Sequence, residues 1–341
     1  ALLHEASADT VVMEVSSHGL QQHRVDIDDF ALAMFTNLSR DHLDFHGSKD
    51  EYGQIKRKLF AGKKLQAAIL NLDDSYSAGT RTILDAALPC HTWSTANSDA
   101  DVYASKLFYS GDGISMEVVT VWGTFSISSP LLGSFNVSNL LGVLCAALAC
   151  ESVHEGFDPQ KIVIALQELQ PVTGRMQLVG AYPVTVVVDY AHTPDGLEKA
   201  LFAVREHSTG QIHCVFGCGG DRDRGKRSEM GAIAEQLADQ LIVADDNPRG
   251  EDSTQIIAHI LSGITSKEQV KVIPNRDQAI AAAINQAQPG DIVLIAGKGH
   301  ENYQEIAGQR RPFNDAEEAA KALLARFGTD PVFSLKRELQ R

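Results

Sequence analysis

The sequence predicts an α/β protein of two domains, each built on a mostly parallel sheet. Three observations support this: the length of the chain, a regular alternation of apolar runs and helical patterns in its C-terminal half, and the crowding of unusual residues just after those runs. At 341 residues two domains of ordinary size are expected, with a core that needs no disulfide or metal staple. Apolar runs at residues 184–188, 213–216, 240–244, 270–273 and 292–296 read as buried strands. Helical patterns over residues 194–207, 226–238, 253–262, 276–286 and 315–327 alternate with them. Strands buried on both faces and connected by helices make a parallel, Rossmann-like sheet. Such sheets bind ligands beyond the carboxyl ends of their strands. Asp189 and residues 217–222, 245–249 and 297–301 fall at those ends.

The N-terminal half is more mixed. Residues 11–15, 32–36 and 67–71 read as strands, with a helix over residues 49–59. Residues 102–107, 113–119 and 124–127 form a small antiparallel part separated by glycine turns, followed by a helix over 136–149. Pro171 and Gly174 punctuate the chain, which suggests domains at residues 1–171 and 172–328 and a polar tail at 329–341. The chain has no initiator Met and enters almost at once into an apolar run, so it is expected to be the interior of a longer gene product.

Composition narrows the function classes. A net charge of −14 argues against a nucleic-acid partner, which would need a basic face. Basic clusters at His23-Arg24, Lys56-Arg57-Lys58 and residues 222–227 still allow an anionic substrate. The most apolar helical run, residues 140–150, contains Gly142 and falls short of the ~18 residues of a membrane span. Cys90, Cys145, Cys150, Cys214 and Cys218 include no C-x2-C pair and read as reduced thiols of a cytoplasmic protein. No membrane partner and a monomeric chain are expected.

Three N-terminal positions have chemistry to offer. Glu14 ends an apolar run and would suit a hard cation, which takes oxygen ligands. His42 lies in a polar stretch after the next run; such a residue is more often structural than a ligand. Lys56 sits in a helical pattern, where a solvated basic face is the ordinary reading.

Taken together, in this order and spacing, these positions resemble the central ATPase domain of the Mur ligases. Also similar are Phe135-Asn136-Val137-Ser138-Asn139, Gly174-Arg175-Met176 and Asp189-Tyr190-Ala191-His192-Thr193-Pro194. Residues 217–223 (GCGGDRD) and 297–301 (GKGHE) look like signatures of the member that extends UDP-N-acetylmuramoyl-L-alanyl-D-glutamate. The resemblance runs from about residue 11 to residue 327. It implies an ATP- and Mg2+-dependent ligase acting through an acyl phosphate in peptidoglycan precursor synthesis, with meso-diaminopimelate as the incoming amino acid. It further implies Glu14 and His42 as metal ligands, with Lys56 as a third once carbamylated. Ser16, Gln22 and Arg24 would hold the UDP-muramoyl peptide. Asn136, Asn139, Arg175, Asp189 and His192 would contact the nucleotide. Arg222, Asn247, Arg249, Gly297 and Glu301 would line the amino-acid pocket. Arg249 favours diaminopimelate over lysine, because a guanidinium grips a second carboxylate with two parallel hydrogen bonds.

The sequence also departs from the family. The Gly-rich loop ending G-K-T is absent from this chain. Gly220 to Arg227 has Gly-x4-Gly-Lys spacing but Arg227 where Ser or Thr should follow, and it lies after the wrong strand. Gly217 and Gly219 fail as a dinucleotide fingerprint because Arg222 occupies the third position. Without a phosphate cradle, the chain by itself is expected to be inactive as a ligase. The alternatives are a lysine-adding relative, a folylpolyglutamate synthase-type ligase, a non-catalytic nucleotide- or amino-acid-binding module, and a dehydrogenase.

Overall fold

The protein is described here from a computed structural model, which covers residues 10–38, 48–151 and 158–328. It divides into two compact units. One takes in Ala1–Ser105, Val118–Phe125 and Ser138–Ile162, and the other Lys106–Glu117, Ser126–Val137 and Val163–Arg341.

The first six-stranded sheet runs in chain order from β1 (Leu32–Phe35) through β2 (Ala67–Asn71), β3 (Cys90–Ser94), β4 (Val102–Ser110) and β5 (Gly113–Thr120) to β6 (Gly123–Ser129). Its first four strands pair in parallel. Two-residue turns then join β4 to β5 and β5 to β6, which only antiparallel neighbours allow. β2 is buried along its whole length, as expected of a strand covered on both faces. The helix α1 (Ser17–Gln21) begins at Ser16, whose hydroxyl accepts from the Gly19 amide at 3.1 Å. Helix α2 (Lys49–Arg57) is capped in the same way by Ser48, with Asp50 and Glu51 in its first turn and Lys56 and Arg57 in its last, matching the helix dipole. Helix α3 (Ser75–Arg81) follows β2.

One expected strand is missing. Residues 11–15 run without a ladder, and Val11, Val12 and Met13 stand in the open, Val12 at 94% exposure. A strand needs a partner edge about 4.8 Å away. Here this run and the free edge of β1 border a single cavity of about 820 Å³ instead of pairing.

Helix α4 (Ser134–Glu151) is longer than its apolar run suggested: 18 residues with a mean hydropathy of 1.4, which meets the length and composition of a membrane span. Its packing is that of a core helix. Leu140, Leu141, Leu144 and Cys145 are buried, and a side chain at Gly142 would strike the Met34 methyl and the Trp93 ring. Helix α5 is Pro159–Gln167.

The second sheet has the spatial order β11-β10-β9-β12-β8-β7, built from β7 (Gln177–Gly180), β8 (Thr185–Asp189), β9 (Ile212–Phe216), β10 (Gln240–Val243), β11 (Val270–Val272) and β12 (Ile292–Ala296). All neighbours are parallel except β7 with β8. Helices α6 (Pro194–His207), α7 (Gly225–Leu237) and α8 (Ser253–Leu261) pack on one face. Helices α9 (Arg276–Gln286) and α10 (Asp315–Phe327) pack on the other. The central strand β12 therefore lies between β9 and β8, whose following helices cover the opposite face from its own. That is the switch-point arrangement beside which open α/β sheets bind ligands. A hairpin of β13 (Tyr303–Ile306) and β14 (Gln309–Pro312) follows β12.

His207, at the end of α6, ties that helix to Ser110 and Gly133 within the same unit. Its Nε2 accepts from the Gly133 amide at 2.8 Å, and its Nδ1 donates to the Ser110 carbonyl at 2.6 Å. Burial is the largest influence and pushes its pKa below 6.5, against the opposing pull of the Ser110 carbonyl and of Glu206 and Asp112. A depressed histidine pKa contributes stability that is complete above the unfolded value and is lost as pH falls through the folded one. We therefore expect the urea midpoint of the wild type to drop more between pH 7.5 and pH 5.5 than that of His207→Gln, which cannot titrate. Parallel slopes for the two proteins would show that His207 is not the titrating group.

Candidate functional site

Within the first unit, the cavity bordered by residues 10–15 and β1 brings together two expected site residues, Glu14 and Lys56, with Thr36 and Asn37 also on its wall. Lys56 reaches the cavity from the last turn of α2, its ammonium 5.0 Å from the centroid of the Tyr52 ring. His42 lies outside the described residues. Among those described, no three His, Cys, Asp or Glu side chains converge as a metal cluster would require. The Glu14 carboxylate suits a hard cation, whereas an unmodified lysine amine does not. Ser16 caps α1, and Gln22 and Arg24 are exposed beyond it.

In the second unit, the carboxyl ends of β8, β12, β9 and β10 lie side by side, and their loops interlock through glycines. A Cβ on Gly174 would come within 2.1 Å of the His300 amide nitrogen, and one on Gly299 within 2.6 Å of the Tyr190 Cβ. Only glycine allows that approach, and Gly174 also has φ +71°. The result is a cluster of tilted rings around Tyr190, with the Arg175 guanidinium 4.8 Å from its centroid, His192 at 4.5 Å and His300 at 5.0 Å. Lys226 donates to the His192 carbonyl at 2.7 Å. Asp189 is buried beneath and accepts from the Met176 amide at 2.8 Å; burial raises its pKa despite that bond. Asn136, at the start of α4, donates to the Leu132 carbonyl at 2.8 Å; Asn139, one turn on, belongs to the first unit and is exposed.

The loops after β9, β10 and β12 form a second group. Arg227 is fully buried and makes two bonds to Glu251, at 2.9 and 3.1 Å. Those bonds, with one from the Asp221 amide, hold the Glu251 carboxyl down to about 2. Glu251 and Asp221 thereby pin the 217–222 loop to the 248–251 loop. Arg249 has φ +53°, an uncommon backbone state for a residue with a side chain. It is held there by a hydrogen bond that its amide donates to the Glu305 carbonyl on β13 at 3.0 Å, while its guanidinium donates to the Gly220 carbonyl at 2.8 Å. Arg249 and Arg222 flank Gly219, where a Cβ would meet Arg249 Nη1 at 2.8 Å and Arg222 Cγ at 3.7 Å.

Facing these arginines is a negative group. Asn247 donates to Glu301 Oε2 at 2.7 Å, and the fully buried Lys298 donates to the same oxygen at 3.0 Å. Burial alone would raise the Glu301 pKa; bonding to Lys298, helped by Asn247 and Arg249, outweighs it and lowers the pKa. Gly297, with φ +120°, presses against the buried Asp246, whose pKa burial raises. Beneath lies the fully buried pair of Arg276 with Asp315, at 2.7 and 2.8 Å, through which Arg276 also reaches the carbonyls of Ala296 and Asp245. The crevice thus brings cations near an anion, which is what a zwitterionic amino acid requires.

Residues 1–147 match the model of the Mur ligase middle domain, and residues 174–299 that of the Mur ligase glutamate ligase domain. The chain belongs to the Mur ligase family. It is 49% identical over 328 residues to the UDP-N-acetylmuramoyl-L-alanyl-D-glutamate--2,6-diaminopimelate ligase of Ectopseudomonas mendocina, covering 95% of this chain and 66% of that protein. The ligase of the same name from Xylella fastidiosa is 46% identical over 338 residues, with 97% and 67% covered. The chain thus spans about 66% of the length of curated relatives it matches. A solved structure of a diaminopimelate ligase of that name superposes with a TM-score of 0.71 at 43% identity, over 93% of this chain and 64% of the other. A Mycobacterium tuberculosis folylpolyglutamate synthase complexed with ADP and AMPPCP shares the fold alone, with a TM-score of 0.57 at 18% identity over 88% and 64%. A dehydrogenase reading is thereby set aside.

Several residues now prominent in this Mur ligase crevice escaped the sequence reading. In the sequence Lys298 is one residue of GKGHE with nothing to mark its burial, and the Tyr190 and His300 rings stand only within motifs. Arg276 read as a helix residue, and nothing in its neighbourhood signalled Asp315, 39 residues on.

Proposed function

We propose that this chain carries the amino-acid-accepting part of a ligase that joins meso-diaminopimelate to UDP-N-acetylmuramoyl-L-alanyl-D-glutamate, using ATP, in the cytoplasmic synthesis of peptidoglycan precursors. The observation that carries the proposal is an ionised Glu301, held by Asn247 and Lys298 and close enough to Arg249 for its charge to lower the Glu301 pKa, at the carboxyl ends of β9, β10 and β12. Meso-diaminopimelate differs from lysine by a carboxylate at its far end. Arg249, with Arg222 nearby, supplies cations for that carboxylate. Glu301, kept ionised, takes the far ammonium, and the near amine is left to attack. Relatives 46–50% identical carry the diaminopimelate-adding name, which supports the choice over lysine.

The chemistry follows from bringing anions together. ATP phosphorylates the free D-glutamyl carboxylate, the amine of the acceptor attacks the acyl phosphate carbon, and phosphate leaves as the amide forms. Magnesium, when bound, supplies positive charge for the phosphate oxygens. Glu14 is assigned to hold it, together with His42 and with Lys56 as a carbamate, in which CO2 has turned the amine into a carboxylate-like ligand. The common cavity of Glu14 and Lys56 supports this assignment. Arg175, Asp189, His192, Asn136 and Asn139 are assigned to the nucleotide, where the Tyr190 ring and the Arg175 guanidinium over it offer an aromatic and cationic surface. Ser16, Gln22 and Arg24 are assigned to the UDP-muramoyl peptide. Gly297 allows the backbone to approach the acceptor.

Two substitutions in the full-length enzyme test these assignments. Arg249→Ala is expected to weaken kcat/KM for diaminopimelate by roughly 1.5–3 kcal/mol, the scale of one charge-assisted contact, and to leave the KM for ATP nearly unchanged. Competition kinetics with lysine provide the check: a wild type that prefers lysine, or a mutant with intact diaminopimelate efficiency, would sink the pocket assignment. Lys56→Ala is expected to lose most activity, with no rescue by bicarbonate and partial rescue by a short carboxylate such as acetate. Wild-type turnover in that mutant would return Lys56 to a solvated helix face.

A further inference from the structure

Lys298 has no exposed side-chain surface. Burying an ammonium costs several kcal/mol unless it finds a counter-charge and hydrogen bonds, so its placement needs an explanation. The ammonium donates to Glu301 Oε2 at 3.0 Å and to Asn247 Oδ1 at 3.1 Å, and lies 5.5 Å from the centroid of the Tyr303 ring. Asn247 closes the triangle by donating from Nδ2 to the same Glu301 oxygen at 2.7 Å. Its Oδ1 also accepts from the Glu305 amide at 2.9 Å. An amide oxygen facing two donors cannot exchange places with its NH2 group without setting donor against donor. Lys298 and the Glu305 amide therefore fix which way the Asn247 amide faces.

The same bonds decide what the crevice presents. Glu301 Oε2 is occupied twice, while Oε1 has no protein donor among the described residues. The Glu301 side chain is 19% exposed, so this carboxylate has a buried half gripped by Lys298 and an open half available to a ligand. Without Lys298, Glu301 would keep the desolvation that favours its neutral form and would lose the strongest influence opposing it. A neutral carboxyl there no longer attracts an ammonium.

We propose that Lys298 is a positioning residue for the amino-acid acceptor: from behind, and without touching the acceptor, it keeps Glu301 ionised and aimed and locks the Asn247 amide. This rests on the acceptor pocket proposed above.

The test is steady-state kinetics of the full-length enzyme and its Lys298→Met, Glu301→Gln and double variants, with acceptor KM, ATP KM and kcat followed from pH 6 to pH 9. Lys298→Met is expected to raise the acceptor KM roughly 10-fold or more, to leave the ATP KM unchanged, and to shift the acid limb of 1/KM for the acceptor to higher pH. Glu301→Gln should raise the acceptor KM at every pH and abolish that limb. Adding Lys298→Met to Glu301→Gln should cost little more, since the lysine acts through the carboxylate. Lys298→Gln, which keeps a donor without the charge, serves if the methionine variant does not fold, and should show the same shifted limb. An unmoved acid limb, additive losses in the double variant, or equal losses in ATP and acceptor KM would overturn the role of Lys298. If Glu301→Gln itself leaves the acceptor KM unchanged, it is the pocket that fails, a result distinct from failure of the lysine.

Discussion

A charge taken out of water must meet its opposite, and in the second unit three fully buried cations do so at the same end of one sheet. Arg227 is met by Glu251, Arg276 by Asp315 and Lys298 by Glu301. Each cation also reaches across segments that the sheet places side by side. Arg227 joins the loops after β9 and β10, Arg276 reaches the carbonyls that end β12 and follow β10, and Lys298 joins the loops after β12 and β10. Such pairs add little net stability over apolar packing, but removing one member leaves a stranded charge. Their effect here is geometric: the loops have one low-energy arrangement, and a crevice between them comes preorganised.

That rigidity extends to the backbone around the crevice. Arg249 sits in a left-handed backbone state, and Gly174, Gly297 and Gly299 hold positive φ values. Uncommon backbone states cost roughly 1–3 kcal/mol for a residue with a side chain. The surrounding bonds stabilise Arg249: its amide on β13 and its guanidinium on Gly220 orient it towards the crevice. Glycine bears the remaining close contacts. The acceptor thus meets charges already in position, so less ordering is needed on binding.

The second unit was largely legible in the sequence, for a physical reason. Four of its parallel strands, β8, β9, β10 and β12, are buried and so read as continuous apolar runs, with β11 a more open edge, and the helices between them keep a 3.6-residue period; α6, α9 and α10 fall on their expected residues. The short strands β3, β7, β13 and β14 were not anticipated. β14 is exposed throughout and β7 covers only four residues, so neither carries an apolar signature. Residues 11–15 misled in the opposite direction, because apolar content alone does not supply a pairing edge. The site was legible as motifs after strands, whereas its support was not. Arg276 with Asp315 and Arg227 with Glu251 are joined across 39 and 24 residues, and no local pattern announces a bond of that span.

The most direct test of this account is a crystal structure of the full-length enzyme with meso-diaminopimelate bound. The expected result has the far carboxylate of the ligand on Arg249, its far ammonium on Glu301, and the Lys298, Asn247 and Glu301 bonds intact, with residues 245–249 and 297–301 displaced by less than about 1 Å from their unliganded positions. A ligand seated away from Glu301, or loops that rebuild around it with the Asn247 amide turned away from Lys298, would contradict a crevice fixed in advance by buried ion pairs.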